Sequence, residues 1–264
     1  MKAIGLVLTV GVALGQLAPW EQHMKEGATC ESSGRFQEAR AAYQLAVKDE
    51  VTSPTDSGLR QAAARNSLAL IDRHLGLYAE ARQEYGKAQA MIEKSRGDQS
   101  SEYASSLSNL AVLDYTEGRF DAAARQFRLA LRINENLLGE KHPATAQTLN
   151  SLSAVYAGQG KYADAERLCK RALAIQEEIL GAEHFQVSAT LSNLASIYRR
   201  RAKFEAALEL SRRAEQIARN AFGDRHPLTC LRANKVAVLY GDTGRLSEAE
   251  SLLRRTLAGC GKTS

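Results

Sequence analysis

Apolar positions along this chain recur at two nested periods. Over short stretches they step by three and four, as at Leu149, Leu152, Ser153 and Tyr156, and again from Tyr162 through Ala165, Cys169, Ala172, Leu173, Ile175 and Ile179. Such steps line one face of an α-helix. Between the two stretches stands Gly160, a residue suited to the left-handed position that ends a helix. The pattern predicts a helix, a tight turn and a second, antiparallel helix.

The whole pattern then returns every 42 residues without an insertion. Gly34, Gly76, Gly118, Gly160, Ala202 and Gly244 share one column, and Phe36, Tyr78, Phe120, Tyr162, Phe204 and Leu246 follow two residues later. Ala39, Ala81, Ala123, Ala165, Ala207 and Ala249 come next, then Ala46, Ala88, Ala130, Ala172, Ala214 and Thr256. Upstream, Leu68, Leu110, Leu152, Leu194 and Val236 precede a column of Ala69, Ala111, Ser153, Ala195 and Ala237. Small residues at these positions let two helices approach closely. One such hairpin cannot bury its apolar face alone, whereas stacked copies bury a continuous core, so the prediction is an all-α solenoid of antiparallel helix pairs. The copies divide as residues 16–58, 59–100, 101–142, 143–184, 185–226 and 227–264. The first is degenerate in its leading helix, "PWEQHMKEGATCESSG", as end repeats often are.

The motif L-x-x-L-A-x-x-Y-x-x-x-G-x-[YF]-x-x-A-x-x-x-[FYC]-x-x-A resembles the tetratricopeptide repeat. The usual unit has about 34 residues. The longer version here, "LNSLSAVYAGQGKYADAERLCKRALAIQEEILGAEH", resembles the repeats of kinesin light chains and their bacterial relatives. The likeness spans roughly residues 20–258. It implies a right-handed superhelix with an inner groove that takes peptides. It departs from the usual pattern where a proline closes the second helix, since Glu93, Glu135 and Glu177 stand there. Fold alone does not name a function.

Composition agrees with helices: the chain is 44% hydrophobic and 25% charged, with four prolines. The net charge is +5, but acidic residues are interspersed nearly everywhere. No concentrated basic face of the kind nucleic-acid binding needs is evident. At the N-terminus Lys2 precedes an apolar run over residues 3–15, with Ala13 and Gly15 at cleavage-site spacing. This reads as a signal peptide over residues 1–15, too short to anchor in a bilayer, and hence as an exported protein, periplasmic or secreted, from a bacterium. The competing reading is a buried first helix in a cytoplasmic protein. No other segment suggests a membrane.

The four cysteines, Cys30, Cys169, Cys230 and Cys260, form no CxxC pair and so signal no zinc site. Cys230 and Cys260 lie at the two ends of the last hairpin, which brings them together. They form a disulfide there if the protein is exported, and otherwise remain two free thiols. Cys169 occupies a packing column. His142, His184 and His226 repeat at the same 42-residue step in the turns between hairpins. Packed helices lie about 8–10 Å apart, so three column-mates cannot share one metal. They are punctuation of the repeat, and no metal or cofactor is expected.

No catalytic motif is present, and "GCGKTS" at 259–264 lacks the first glycine of a phosphate loop. The chain is therefore read as a non-enzymatic scaffold that binds a protein or peptide; a sensor protein and an accessory subunit of an envelope or secretion assembly are the other classes. Along the first helix of each copy a second, polar stripe faces away from the core. It holds Ser67, Asn109, Ser151, Asn193 and Lys235, flanked by Asn66, Asn150 and Asn234, with Arg199 and Arg200 further along. Asparagine offers donor and acceptor together, so a ladder of them can pair with an extended backbone. The arginines suit carboxylates. Kinesin light chain-like repeats resemble this in their asparagine-lined grooves. The last helix leaves Leu253 and Leu257 open, a contact surface for a homodimer.

Overall fold

A computed structural model describes residues 18–49 and 57–260. The expected signal peptide, residues 1–15, lies outside the described residues. Twelve α-helices run through them: α1 (Pro19–Ser32), α2 (Phe36–Lys48), α3 (Ser57–His74), α4 (Tyr78–Arg96), α5 (Ser101–Thr116), α6 (Phe120–Leu138), α7 (Pro143–Gly158), α8 (Tyr162–Leu180), α9 (Phe185–Arg200), α10 (Phe204–Phe222), α11 (Pro227–Asp242) and α12 (Leu246–Cys260). No strand occurs among the described residues. The chain divides into two compact units between Met91 and Ile92.

In the first unit α1 packs on α2, and α2 on α3. The "degenerate" leading helix is a complete helix of 14 residues. Its Gly27 stands 42 residues before Ala69 and keeps the small-residue column. A Cβ at Gly27 would come within 2.5 Å of the Tyr43 ring. Copy 1 is therefore irregular in composition but not in conformation. Arg65 of α3 and Glu84 of α4 form an ion pair at 2.5 Å.

In the second unit each helix from α5 to α12 packs on the next in the chain, and the first helices also touch in series, α5 with α7, α7 with α9 and α9 with α11. The first helices thus make one layer and the second helices another. The alanine columns sit at the crossings: Ala123, Ala130, Ala165, Ala172, Ala207 and Ala214 are fully buried. Volume is exchanged between two facing columns. Where α2 carries Tyr43, α1 carries Cys30 in the same cluster; where α8 carries Cys169, α7 supplies Tyr156. In these two copies a large and a small residue trade places across the crossing, as close-packed interiors favour.

The turns are built by a few conformational demands. Gly34, Gly76, Gly118, Gly160 and Gly244 have φ between 72° and 77°, and Ala202 replaces them once, at φ 56°. A left-handed L-residue costs roughly 1–2 kcal/mol. Ala202→Gly is therefore expected to raise stability by about 1 kcal/mol, read as a higher urea midpoint at unchanged m-value. No gain would mean that the α9–α10 turn carries no strain.

His142, His184 and His226 cap α7, α9 and α11. Each Nδ1 accepts the backbone N–H two residues on, from Ala144 at 3.2 Å, Gln186 at 3.3 Å and Leu228 at 3.2 Å. This satisfies an orphan donor of the helix start, and Pro143 and Pro227 occupy the first turn, where no N–H is needed. Two of the three glutamates that replace the expected proline bridge successive second helices, Glu135 to Arg171 at 2.9 Å and Glu177 to Arg213 at 2.7 Å.

Candidate functional site

The layer of first helices in the second unit presents one side to the second helices and the other to solvent. Helical phase decides which residues fall on the open side: Ser105, Asn109, Val112 and Thr116 on α5, then Gln147, Ser151, Ala154 and Gly158 on α7. On α9 they are Ala189, Asn193, Ser196 and Arg200, and on α11 Leu231, Lys235, Val238 and Asp242. Three cavities lie along this face. One of about 270 Å³ between α5 and α7 is lined by Asn109, Gln147 and Ser151. One of about 600 Å³ is lined by Gln147, Asn150, Ser151, Phe185, Phe222, Leu228 and Arg232. One of about 230 Å³ is lined by Arg199, Leu231, Asn234, Lys235 and Val238.

Of the residues that the sequence pointed to, Asn109, Asn150, Ser151, Asn193 and Lys235 are half-buried, and Asn234, Arg199 and Arg200 exposed. Asn109, Asn150, Ser151, Asn234, Arg199 and Lys235 line the cavities. Asn193 donates its amide to Asn150 Oδ1 at 3.1 Å, linking two copies across the face. Arg199 is committed: its guanidinium makes a two-pronged contact with Asp242, one prong at 3.2 Å. That pairing holds the Asp242 carboxyl below its ordinary range. Arg199 therefore braces α9 against α11, and the carboxylate preference expected of it is met within the chain.

Asn66 and Ser67 belong to the first unit. Both are half-buried. The carbonyl oxygen of Asn66 has no partner among the described residues. The nearby Tyr43 hydroxyl donates to Glu31 Oε2 at 2.9 Å, and its pKa is raised, chiefly by burial.

Burial pushes the Cys169 thiol up to about 11, which suits a core residue and not a nucleophile. Cys30 and Cys169 are free thiols. The side chain of Cys260 lies outside the described residues. Among the described residues no cluster of three metal-ligating side chains occurs, and no helix is long and apolar enough to cross a membrane.

Sequence reasoning missed the apolar and cationic part of this face. Leu228, Leu231 and Val238 on α11 are 40%, 47% and 48% exposed. Phe185 and Phe222 meet edge to face at 5.6 Å on the rim. Arg232 projects from α11 onto α9. The 42-residue columns held a signal for Arg232, since Thr148 and Thr190 occupy its place in the two preceding copies.

The tetratricopeptide repeat pattern matches residues 60–136, 117–178, 145–220 and 186–262. No curated protein matches the chain in sequence. Among solved structures, BtubC (BKLC) from P. vanneervenii is similar with a TM-score of 0.67 and 20% identity, over 91% of this chain and 90% of that one. A putative kinesin light chain from Podosopora anserina with nearly identical TPR-like repeats has a TM-score of 0.62 and 22% identity, over 79% and 96%. The apo form of RapI reaches 0.69 at 16% identity, over 94% and 85%. At these identities the structures share a fold and nothing finer. Repeat pattern, hairpin geometry and solved neighbours agree: the chain belongs to the tetratricopeptide repeat family.

Proposed function

We propose that this protein is a protein-interaction scaffold that holds an extended peptide segment against the first-helix face of its second unit. The observation that carries this reading is the run of three cavities along α5, α7, α9 and α11, lined by half-buried amides and hydroxyls. Such groups can satisfy a peptide backbone without reading each side chain. The exposed Leu228, Leu231 and Val238 add apolar area to be covered, which anchors a bound segment. No chemistry is required of the face.

The test is a cross-linking pull-down from the native source with the wild-type chain and an Asn109→Ala, Asn193→Ala, Arg200→Glu variant, after circular dichroism shows equal helicity. The expected result is a partner held by the wild type and reduced at least tenfold by the variant. Equal recovery by both would move the interaction off this face.

Export through residues 1–15, with a disulfide between Cys230 and Cys260, completes the reading. Under it, protein recovered outside the cytoplasm begins at Gln16. Thiol titration then finds two reactive groups per chain, Cys30 in the native state and Cys169 only after unfolding. Four thiols in exported, unreduced protein would overturn the pairing. The exposure of Leu253 and of Leu257, 70% in the latter, supports a homodimer through α12, which sedimentation of Leu253→Glu, Leu257→Glu against wild type decides.

A further inference from the structure

In the layer of second helices, successive copies are clasped by an ion pair. Glu135 of α6 holds Arg171 of α8 at 2.9 Å, and Glu177 of α8 holds Arg213 of α10 at 2.7 Å. One copy later the same two columns hold Arg219 on α10 and Arg255 on α12, two like charges. Arg219 turns back on its own copy, pairing with Glu215 and, from Nε, with Asp224 at 2.7 Å. Arg255 is exposed and has no carboxylate partner among the described residues. The clasp between the last two copies is missing.

Neighbouring columns change in the same sense. Leu173, which packs between two core clusters one copy earlier, gives way to Glu215. Glu205 and Glu209 give way to Ser247 and Ser251. A cavity of about 650 Å³ lies at this junction, where α10, α11 and α12 meet, lined by Arg212, Gln216, Tyr240, Ser247, Ser251 and Arg255. Arg255 also lines a second cavity, of about 440 Å³, with Arg219 and Arg225.

The charge balance shifts with the columns. Between α8 and α10 they carry Lys170, Arg171 and Arg213 against Glu177, Glu205 and Glu209, three of each sign. Between α10 and α12 they carry Arg212, Arg213, Arg219 and Arg255 against Glu215 and Glu248, an excess of two positive charges. Glu215 is spent on Arg219, and Glu248 on Arg245 at 2.7 Å. Arg212 donates from Nε to the neutral Tyr240 hydroxyl at 3.1 Å. Arg212 and Arg255 thus face one cavity from two helices, neither with a carboxylate of its own among the described residues. The preceding junction fills this place with acids of the chain itself.

The lining says what would fill it here. Two planar guanidinium forks match the oxygens of a phosphoryl group, which carries nearly two negative charges at neutral pH. Inorganic phosphate would occupy only a small part of the cavity, whose volume lies in the range of small-molecule sites. The amide of Gln216 and the hydroxyls of Ser247 and Ser251 donate and accept, as the hydroxyls of a polyol do.

We propose that the outer cavity between α10 and α12 is a binding site for a phosphorylated polyhydroxy small molecule, a sugar phosphate in class, with its phosphoryl group between Arg212 and Arg255 and its hydroxyls on Gln216, Ser247 and Ser251. The ligand supplies the negative charge that Glu177 supplies one copy earlier, and so ties α12 to α10. The site lies in the layer of second helices and does not depend on the first-helix face.

The experiment is calorimetric titration of the full chain, at constant ionic strength, with glucose 6-phosphate, ribose 5-phosphate and glycerol 3-phosphate, and with glucose and inorganic phosphate as comparison probes. At least one of the three organic phosphates is expected to bind saturably, about tenfold or more tighter than inorganic phosphate, and glucose to give no saturable heat. Hydrogen exchange should slow in α12 when that ligand is bound. Ser247→Glu, Ser251→Glu restores the acids of the preceding copy at exposed positions, and Arg255→Gln alters an exposed side chain without a described partner. Both variants should keep the wild-type melt and bind the ligand at least about tenfold more weakly. Binding unchanged in both variants would place the ligand elsewhere and overturn the site. Saturable binding of none of the organic phosphates, or binding no tighter than that of inorganic phosphate, would overturn it as well.

Discussion

Replacing Ala172 with tryptophan is expected to cost at least about 3 kcal/mol, the upper part of the range for overpacked cores. Ala172 is fully buried and shares a cluster with Ala146, Leu149, Leu168 and Ile175, where α7 and α8 cross. An indole there must either part the two helices or force their side chains from their rotamers. For a chain of this size, that loss lowers the melting temperature by about 10 °C. Stability in stacked repeats is a sum of nearest-neighbour terms, so the damage should centre on α7 and α8 and leave distant hairpins helical. Thermal melts by circular dichroism, with hydrogen exchange to locate the loss, measure it. The control is Ala182→Trp, at an exposed turn position. A melt of Ala172→Trp indistinguishable from wild type would mean that the repeat phase is misplaced.

Arg40→Leu should be comparably costly at neutral pH, about 3–5 kcal/mol, the usual penalty for stripping one partner from a buried ion pair. Asp72 is only 1% exposed, and Arg40 Nε donates to its Oδ1 at 2.6 Å. Burial already raises the Asp72 pKa above the ordinary carboxyl value, with the Arg40 bond pulling the other way. A carboxyl raised in the folded state favours folding when protonated, and that advantage is lost as pH rises through its folded pKa. Removing Arg40 removes the opposing pull and raises it further. The gap between variant and wild type should therefore be widest near pH 7 and narrow as the pH falls and Asp72 takes up its proton. Urea midpoints across a pH series read the effect. A gap independent of pH would show that Arg40 acts through packing alone. Arg40→Leu, Asp72→Leu should recover most of the loss, because no charge is then left buried.

The Asp72 position also shows where column reading stopped. Tyr156, Tyr198 and Tyr240 fill the same column in later copies, and an aspartate among them looks like a departure. Its partner Arg40 lies 32 residues away on α2, at a step that matches neither the helix period nor the repeat. The histidines were legible as turn residues because spacing alone rules out a shared metal, but their role as caps depends on the Nδ1 geometry. The polar stripe from Asn109 to Lys235 was legible as a face, because helical phase separates open from buried. Its division of labour was not: Arg199 is absorbed by Asp242 and Asn193 by Asn150.

By itself the sequence determined the helices, their pairing into hairpins and the columns that meet in the core. Those follow from burial of an apolar stripe at the helix period, repeated at a constant 42-residue step, and each is a property of local spacing. Only the tertiary structure decided which polar groups are matched to a charged partner inside the protein and which are not. Arg199 and Arg232 sit on the first helices of successive copies and look alike as letters. One reaches Asp242, while the other reaches only Ser188 and Ser192. That difference is set by rotamers and by distances of about 3 Å between residues some forty positions apart, which no spacing along the chain encodes.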